Sequence, residues 1–349
     1  MSKFDLDWLL EWSFKERDEP LAAHKIHRYP AVFVPELAEK IIKTFSNEGD
    51  TVLDIFSGSG TTLLEAMKLK RHGVGIELNP LAVLITEVKT RYIDPSLLGE
   101  GFEQWKTDFF ENSYKCNGIN NREFWFHEIT NNTINDAIGA LNVLEDTNVK
   151  KFLMVCVSEI IREVSYCVHS GFKLHRDKSK VAKDLSFNKH EFLDKLDPVV
   201  KRNLKAITAL KDIYDHAYSP VVYLSDSRDR LESLKEESID LILTSPPYGD
   251  SKTTVAYGQF STFSSEMFEL ENYYDSEARR LDSDLLGGKI KGIDIEGICS
   301  KSLTVKNIYE LFTSRALLAK DEKSRKRIER RLKDIMSFYS DLDQCIKNG

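Results

Sequence analysis

The sequence predicts an α/β protein built on a parallel sheet, with a mostly helical segment inserted in its middle. Three observations carry that prediction. Residues 50–78 run strand, glycine turn, helix, strand; residues from about 96 to 218 carry helical periodicity and few strand signals; β-type runs return at 221–225 and 239–244. A strand, helix, strand succession is the unit from which parallel sheets are built.

The first strand is "DTVLDIF", with β-branched residues at its start, and "SGSG" is a turn. "TTLLEAMKLK" has helical spacing and a basic last turn that complements the helix dipole. "GVGIEL" is a second buried strand. In the inserted segment "NNTINDAIGALNVL", "VKKFLMVCVSEIIREVS" and "VVKRNLKAITALKDIYDHA" read as helices. "PVVYLSD" is the third strand, ending at Asp226, and "SIDLILTSPPY" is the fourth. The polar, small-residue stretch "GDSKTTVAYGQFSTFSS" reads as a loop, and further helices end in the long amphipathic run "KDEKSRKRIERRLKDIMSFYSDLDQCIKNG".

Composition narrows the function classes. No apolar run approaches the roughly 20 residues that span a bilayer. The opening "MSKFDLDWLLEWSFKERDEP" is acidic and amphipathic, unlike a secretion signal. Cys116, Cys156, Cys167, Cys299 and Cys345 are scattered without a CxxC pair, the usage expected of reduced thiols in a cytoplasmic protein rather than of zinc ligands or disulfides. His24, His27, His169 and His175 lack ligand spacing and read as surface or packing residues, so no metal is expected. The net charge of −7 argues against nucleic acid as a partner, but a basic face can sit on an acidic protein.

The chemistry gathers at strand ends. In "DIFSGSGTT", Asp54 to Thr62, glycines after a strand let backbone approach a ligand and the helix start offers free N–H groups. The spacing is neither G-x-G-x-x-G nor a P-loop, and taken alone it is equally a tight strand-to-helix turn. Glu77 ends the second strand about 20 residues on, either as the acceptor for a ribose diol or as a solvated strand-end carboxylate. Asp226 ends the third, either as an acceptor for an adenine amino group or as a helix cap. The fourth ends in Ser245-Pro246-Pro247-Tyr248. All four ends fall on the carboxyl edge of the sheet, where open α/β sheets bind ligands.

Together "VLDIFSGSGTTLLEA", "GVGIELNP" and "LILTSPPY" resemble the S-adenosylmethionine-dependent DNA amino-methyltransferases, the Ser-Pro-Pro-Tyr form being most similar to the cytosine-N4 branch. "HKIHRYPAVFVPELAEKII" resembles the segment that covers the methionine part of the cofactor in that family. The likeness covers roughly the first 90 residues and residues 220 to 260. It implies a Rossmann-like methyltransferase sheet in a discontinuous catalytic domain, 1–95 and 219–349, with 96–218 as a helical insertion and candidate DNA-contacting region. It implies that Phe56 and the turn Ser57, Gly58, Gly60 and Thr61, with Asp54 beside them, hold the methionine end of S-adenosylmethionine. Glu77 takes the ribose hydroxyls, Asp226 the adenine, and Tyr29 and Pro30 close the pocket. An exocyclic amine is a poor nucleophile because its lone pair is delocalised into the ring. Hydrogen bonds from it to Ser245 and to the Pro246 carbonyl favour a pyramidal nitrogen, Pro246 and Pro247 fix that carbonyl, and Tyr248 stacks on a base taken out of the duplex.

The implied activity is sequence-specific N4-methylation of cytosine in double-stranded DNA within a restriction-modification system. Adenine-N6 or RNA methylation is the alternative; serine rather than an acid at 245 favours cytosine. "GFKLHRDKSKVAKDLSFNKHEF" is equally a phosphate-tracking segment and a solvated loop. "REVSYCVHSGFKLHR" and "GDSKTTVAYGQFS" are candidates to face the nucleic acid, and "KSRKRIERRLK" reads as a solvated helix face. Against the family's seven strands only four are evident, so the sheet is expected to be incomplete at its C-terminal side. An open edge and an uncovered apolar face (Ile328, Leu332, Ile335, Met336, Tyr339, Leu342) then call for a second polypeptide, and the chain is either truncated or one half of a split, non-catalytic by itself.

Overall fold

Alternate residues of the first strand point to opposite faces, and that period of two organises the sheet. In β1 (Thr51–Asp54), Val52 packs with Ala38, Ile42, Ala66 and Leu243, while Leu53 packs with Ile76, Leu231 and Phe338. The computed structural model describes residues 21–115, 121–168, 171–247, 255–270, 285–286 and 294–348.

β1 pairs with β2 (His72–Glu77), β2 with β3 (Val221–Leu224), and β4 (Leu241–Ile242) with the other side of β1. All are parallel, in the order β3-β2-β1-β4. This is the expected Rossmann-like α/β sheet. β4 is shorter than the expected 239–244 for a local reason. The Leu243 N–H donates to the Leu53 carbonyl at 2.9 Å, after which Thr244 turns its hydroxyl to Asp54 and the following prolines have no N–H to donate. Among the described residues β4 is an edge strand, with Ile242 exposed.

Helices α1 (Pro35–Phe45) and α2 (Thr61–Lys68) cover the Val52 face, and α3 (Pro80–Lys89) follows β2. The inserted segment is helical as expected: α4 (Pro95–Glu111), α5 (Glu128–Val143), α6 (Thr147–Ile161) and α7 (Lys189–Thr208). α7 starts about ten residues before the expected run because Asn188 and Glu191 form a capping box there. Trp105, Phe109, Phe152 and Phe192 of this block share one core with Leu81, Leu84, Ile85 and Val88 of α3. The block therefore buries the very helix that starts at the tip of β2.

Two expectations are corrected. The stretch read as a loop contains α8 (Tyr257–Met267). Phe260, Phe263 and Met267 recur at helical spacing toward the core, and buried Ser261, Ser264 and Ser265 let the helix approach closely. The apolar face of α10 (Glu322–Asn348) is not left bare. Leu332 and Met336 are buried against Ile298 and against Val305 of α9 (Leu303–Leu317), and Phe338 and Leu342 join the Leu53 face of the sheet. Among the described residues no helix is long and apolar enough to cross a membrane. Cys156, Cys167, Cys299 and Cys345 are free thiols; Cys116 lies outside the described residues.

One polar tie fixes the segment that carries Tyr29. Arg202 of α7 holds the buried Glu159 of α6 with two hydrogen bonds, 2.8 and 2.6 Å, and donates to the Ile26 carbonyl at 2.9 Å. Arg202→Ala leaves Glu159 without that partner. Because Arg202 is partly exposed, the expected loss is about 2–3 kcal/mol, below the 3–5 typical of a fully buried pair, measured by urea denaturation.

Candidate active site at the carboxyl edge of the sheet

Each strand hands residues to one cleft. Asp54 ends β1 and Phe56 follows it, Glu77 ends β2, Asp226 follows β3, and Ser245 and Pro247 follow β4; all line one cleft that opens to solvent. Of the residues expected from sequence, Tyr29, Pro30, Ser57, Gly58 and Thr61 also line it. Gly60 is not among its walls but shapes the turn, Pro246 is exposed outside it, and Tyr248 lies outside the described residues. Sequence reading missed Val32, Phe33 and Tyr257, which also line the cleft.

The glycine turn is held from both sides. The Ser57 N–H donates to the Ile76 carbonyl at 3.1 Å, and the Gly60 N–H to the Ser57 carbonyl at 2.8 Å. Gly60 has φ of +77°, and a Cβ there would stand 2.6 Å from Cγ2 of Thr86, so both conformation and space require glycine. Gly58 lies over β2, and its N–H donates to Glu77 Oε2 at 2.8 Å while the Asn79 N–H donates to Oε1 at 2.8 Å. Burial pushes the Glu77 carboxyl up to about 7, against the backbone N–H groups of Asn79, Gly58 and Leu78, with nearby Asp54 adding to the rise. Burial also raises Asp54, whose Oδ1 accepts from the Thr244 hydroxyl at 2.7 Å and the Phe56 N–H at 3.1 Å. That pair joins the end of β1 to the start of the Ser-Pro-Pro loop.

Asn79 supports this arrangement from behind. Its Oδ1 caps α3 by accepting from the Leu81 N–H at 3.1 Å, and its Nδ2 donates to the Tyr29 hydroxyl at 2.9 Å and to Ser261 Oγ at 3.0 Å. Tyr29 in turn stacks on Tyr257, with ring centroids 6.2 Å apart. One amide thus ties together the N-terminal segment, the tip of β2 and α8. The signal for it was the Asn-Pro pair after the strand, an N-cap followed by proline at the first helical position.

Asp226 is a helix cap, the second of its two sequence readings. It caps a one-turn helix, Ser227–Arg230, by accepting from the Arg228 N–H at 2.9 Å, and both its oxygens receive the Arg228 guanidinium. Arg228 also reaches Asp341 of α10 at 3.3 Å. The carboxylate still faces the cleft, but it does so pre-oriented by an arginine. His24 and His27 are packing residues: His24 pairs with Glu65 at 2.7 Å, and His27 is buried edge-on to Phe260.

The cleft retains unspent hydrogen-bonding groups. Ser57 Oγ and Thr61 Oγ1 are buried and have no hydrogen-bond partner among the described residues. With the glycine backbone, the Glu77 carboxylate and the Phe33 and Tyr257 rings, they fit a ligand that has a polar amino-acid end, a sugar diol and a planar base.

Comparison with known proteins shows the family. The family described as DNA methylase, of N6 and N4 type, matches residues 7–87. The type II methyltransferase M.MvaI of Kocuria varians is 30% identical over 341 residues, 93% of this chain and 72% of the relative. M.BsoBI of Geobacillus stearothermophilus is 28% identical over 64% of the chain, which spans about half (49%) of that relative. M.MjaII of Methanocaldococcus jannaschii is 39% identical over 26% of the chain and 17% of its own length. The chain belongs to the N6/N4 DNA methylase family. No solved structure matches it. The long alignment runs along a single relative and gives no support for a second polypeptide.

Asn79→Ala removes a helix cap worth about 1 kcal/mol and leaves the buried Tyr29 and Ser261 hydroxyls without their donor, at about 1 kcal/mol more. The expected loss is about 2 kcal/mol by denaturant unfolding, larger than for Asn79→Asp, which keeps the cap.

Proposed function

We propose that this protein transfers a methyl group from S-adenosylmethionine to the exocyclic N4 amine of cytosine in double-stranded DNA. We further propose that it does so at a specific sequence, as the cytoplasmic modification enzyme of a restriction-modification system. The observation that carries this reading is the shared cleft: Ser245 and Pro247 line the same cavity as the glycine turn, Glu77 and Asp226. Family membership supports it, since the relatives are named as type II methyltransferases.

S-adenosylmethionine supplies an electrophilic methyl group on a sulfonium. In this reading Ser57, Gly58, Thr61 and Phe56 hold its amino-acid end, with Gly60 setting the shape of the turn and Asp54 beside it. Glu77 accepts the ribose hydroxyls, Asp226 faces the adenine, and Tyr29 and Pro30 close the pocket. Ser245 Oγ and the Pro246 carbonyl accept from the two N–H bonds of the target amine, which draws its lone pair out of conjugation with the ring. Tyr248 stacks on the flipped base. The prolines lack N–H groups and have fixed φ, so the acceptor geometry is set before the base arrives. The catalytic domain is assigned to 1–95 and 219–349, and the helical block 96–218 buttresses it and contributes to DNA contact. The serine at 245, in place of an acid, favours cytosine over adenine-N6.

Digesting methylated DNA to nucleosides and analysing them by mass spectrometry tests the substrate. N4-methylcytosine is expected; N6-methyladenine moves the assignment to the alternative base. Ser245→Ala should lower kcat about 10²-fold, with the Kd for S-adenosylmethionine within about twofold of wild type, because the serine acts on the amine as it reacts. An unchanged kcat removes Ser245 from the acceptor role.

A further inference from the structure

We infer that the outward face of the first half of α10 is a docking surface for the phosphate backbone of duplex DNA, separate from the catalytic cleft. The inference rests on the reading of the chain as a DNA enzyme and deepens it by naming where the duplex is held.

Charge is the first observation. Residues 320–333 contain eight lysines and arginines against three acids, in a chain whose net charge is −7. Helix geometry is the second. At about 100° per residue, Lys323, Arg327 and Arg330 fall on one line at i, i+4 and i+7, flanked by Lys326, Lys333 and Arg331. The apolar residues Leu332, Met336 and Tyr339 occupy the opposite side and are packed on the helices behind. Lys323, Arg327, Arg330 and Lys333 are exposed and have no acidic partner among the described residues. Arg325 lies off this line and pairs with Glu329, and Lys326 pairs with Glu322 along the helix. Asp334, at the inner end of the stripe, is partly buried. A solvated helix face needs no segregation of this kind, whereas a polyanion does.

Placement is the third. Asp341 on the same helix reaches Arg228, which holds Asp226 on the cleft wall. At 1.5 Å per residue the stripe begins about 12 Å along the helix from Asp341 and ends about 27 Å from it. At roughly 3.4 Å per base pair, those are steps of about four to eight base pairs. The other basic stretch, residues 171–192 of the helical block, is in part spoken for. Lys180 Nζ donates to the carbonyls of Glu163, Ser165 and Cys167, Lys189 pairs with Asp136 at 3.0 Å, and the Arg176 guanidinium lies over the Phe124 and Tyr166 rings. The acidic remainder of the surface repels a duplex, so the stripe also sets where it lands.

The test is binding of a fluorescein-labelled duplex by anisotropy across a salt series, with the whole chain and with K323Q/R327Q/R330Q. Each phosphate contact removed lowers the steepness of log K against log salt by about 1. The triple variant should therefore lose about 2–3 from the slope and bind about tenfold or more weakly at low salt. S-adenosylmethionine affinity should stay unchanged, which shows that the variant is folded. An unchanged slope overturns the inference. So does a slope that falls only with K178Q/K183Q, which puts the contact on the helical block. Binding of the stripe to anionic phosphatidylserine vesicles but not to duplex overturns it in favour of a membrane surface. If the wild-type chain binds S-adenosylmethionine but no duplex at any salt, the inference falls together with the proposed substrate. A lost slope in the triple variant beside a Ser245→Ala variant with unchanged slope keeps docking and chemistry apart.

Discussion

The site depends on a single carboxylate bridging two pieces of backbone. Glu77 accepts from Gly58, at the crest of the glycine turn, and from Asn79, at the start of α3. Those bonds set how far the turn stands from β2, and so how wide the cleft is. A neutral amide could make one of them well. The carboxylate makes both with charge-assisted bonds, yet burial raises its pKa to about 7. The group is thus costly to ionise where it is buried and best satisfied when further donors arrive, as a ribose diol supplies in the proposed function.

The constraint extends outward in layers. Asn79 ties the β2 tip to Tyr29 and Ser261. The Tyr29 segment is held from behind by Arg202 and Glu159. The helical block covers α3, the helix that Asn79 caps. On the other side Asp54 receives Thr244, so the start of the Ser-Pro-Pro loop is fixed to the same strand end that launches the glycine turn. Insertion and sheet therefore act as one scaffold for the cleft, although their sequences read so differently.

Much of this was legible in the sequence because the signals are local. Glycine at 60, an acid closing each of β1 and β2, and two prolines closing β4 all report the backbone at their own positions. The strand positions followed from them, and eleven of the residues that the family resemblance named line the cleft. What was not legible depends on partners distant in sequence. α8 hid behind serines and threonines whose small size matters only because a core lies against them. The apolar face of α10 gave no hint that the helices at 295–317 cover it, since neither element shows the other's register. Asp226 was readable as a cap or a ligand, and only the Arg228 guanidinium shows how the cap is held in place while facing the cleft.

The most direct measurement is the affinity for S-adenosylmethionine as a function of pH, by calorimetry, in the wild type and in Glu77→Gln. The sign follows from the raised pKa. Between the ordinary carboxylate value near 4.5 and about 7 the folded protein holds a proton that the unfolded chain has released, so Glu77's contribution to stability falls as pH rises through that window. A ligand that needs the ionised carboxylate shows the opposite trend. Its Kd should tighten by up to about tenfold per pH unit below 7 and level off above it. Glu77→Gln should bind more weakly at high pH and lose that step. Superimposable pH profiles for the two proteins would contradict the account, because the carboxylate at the centre of the cleft would then have no part in holding the cofactor.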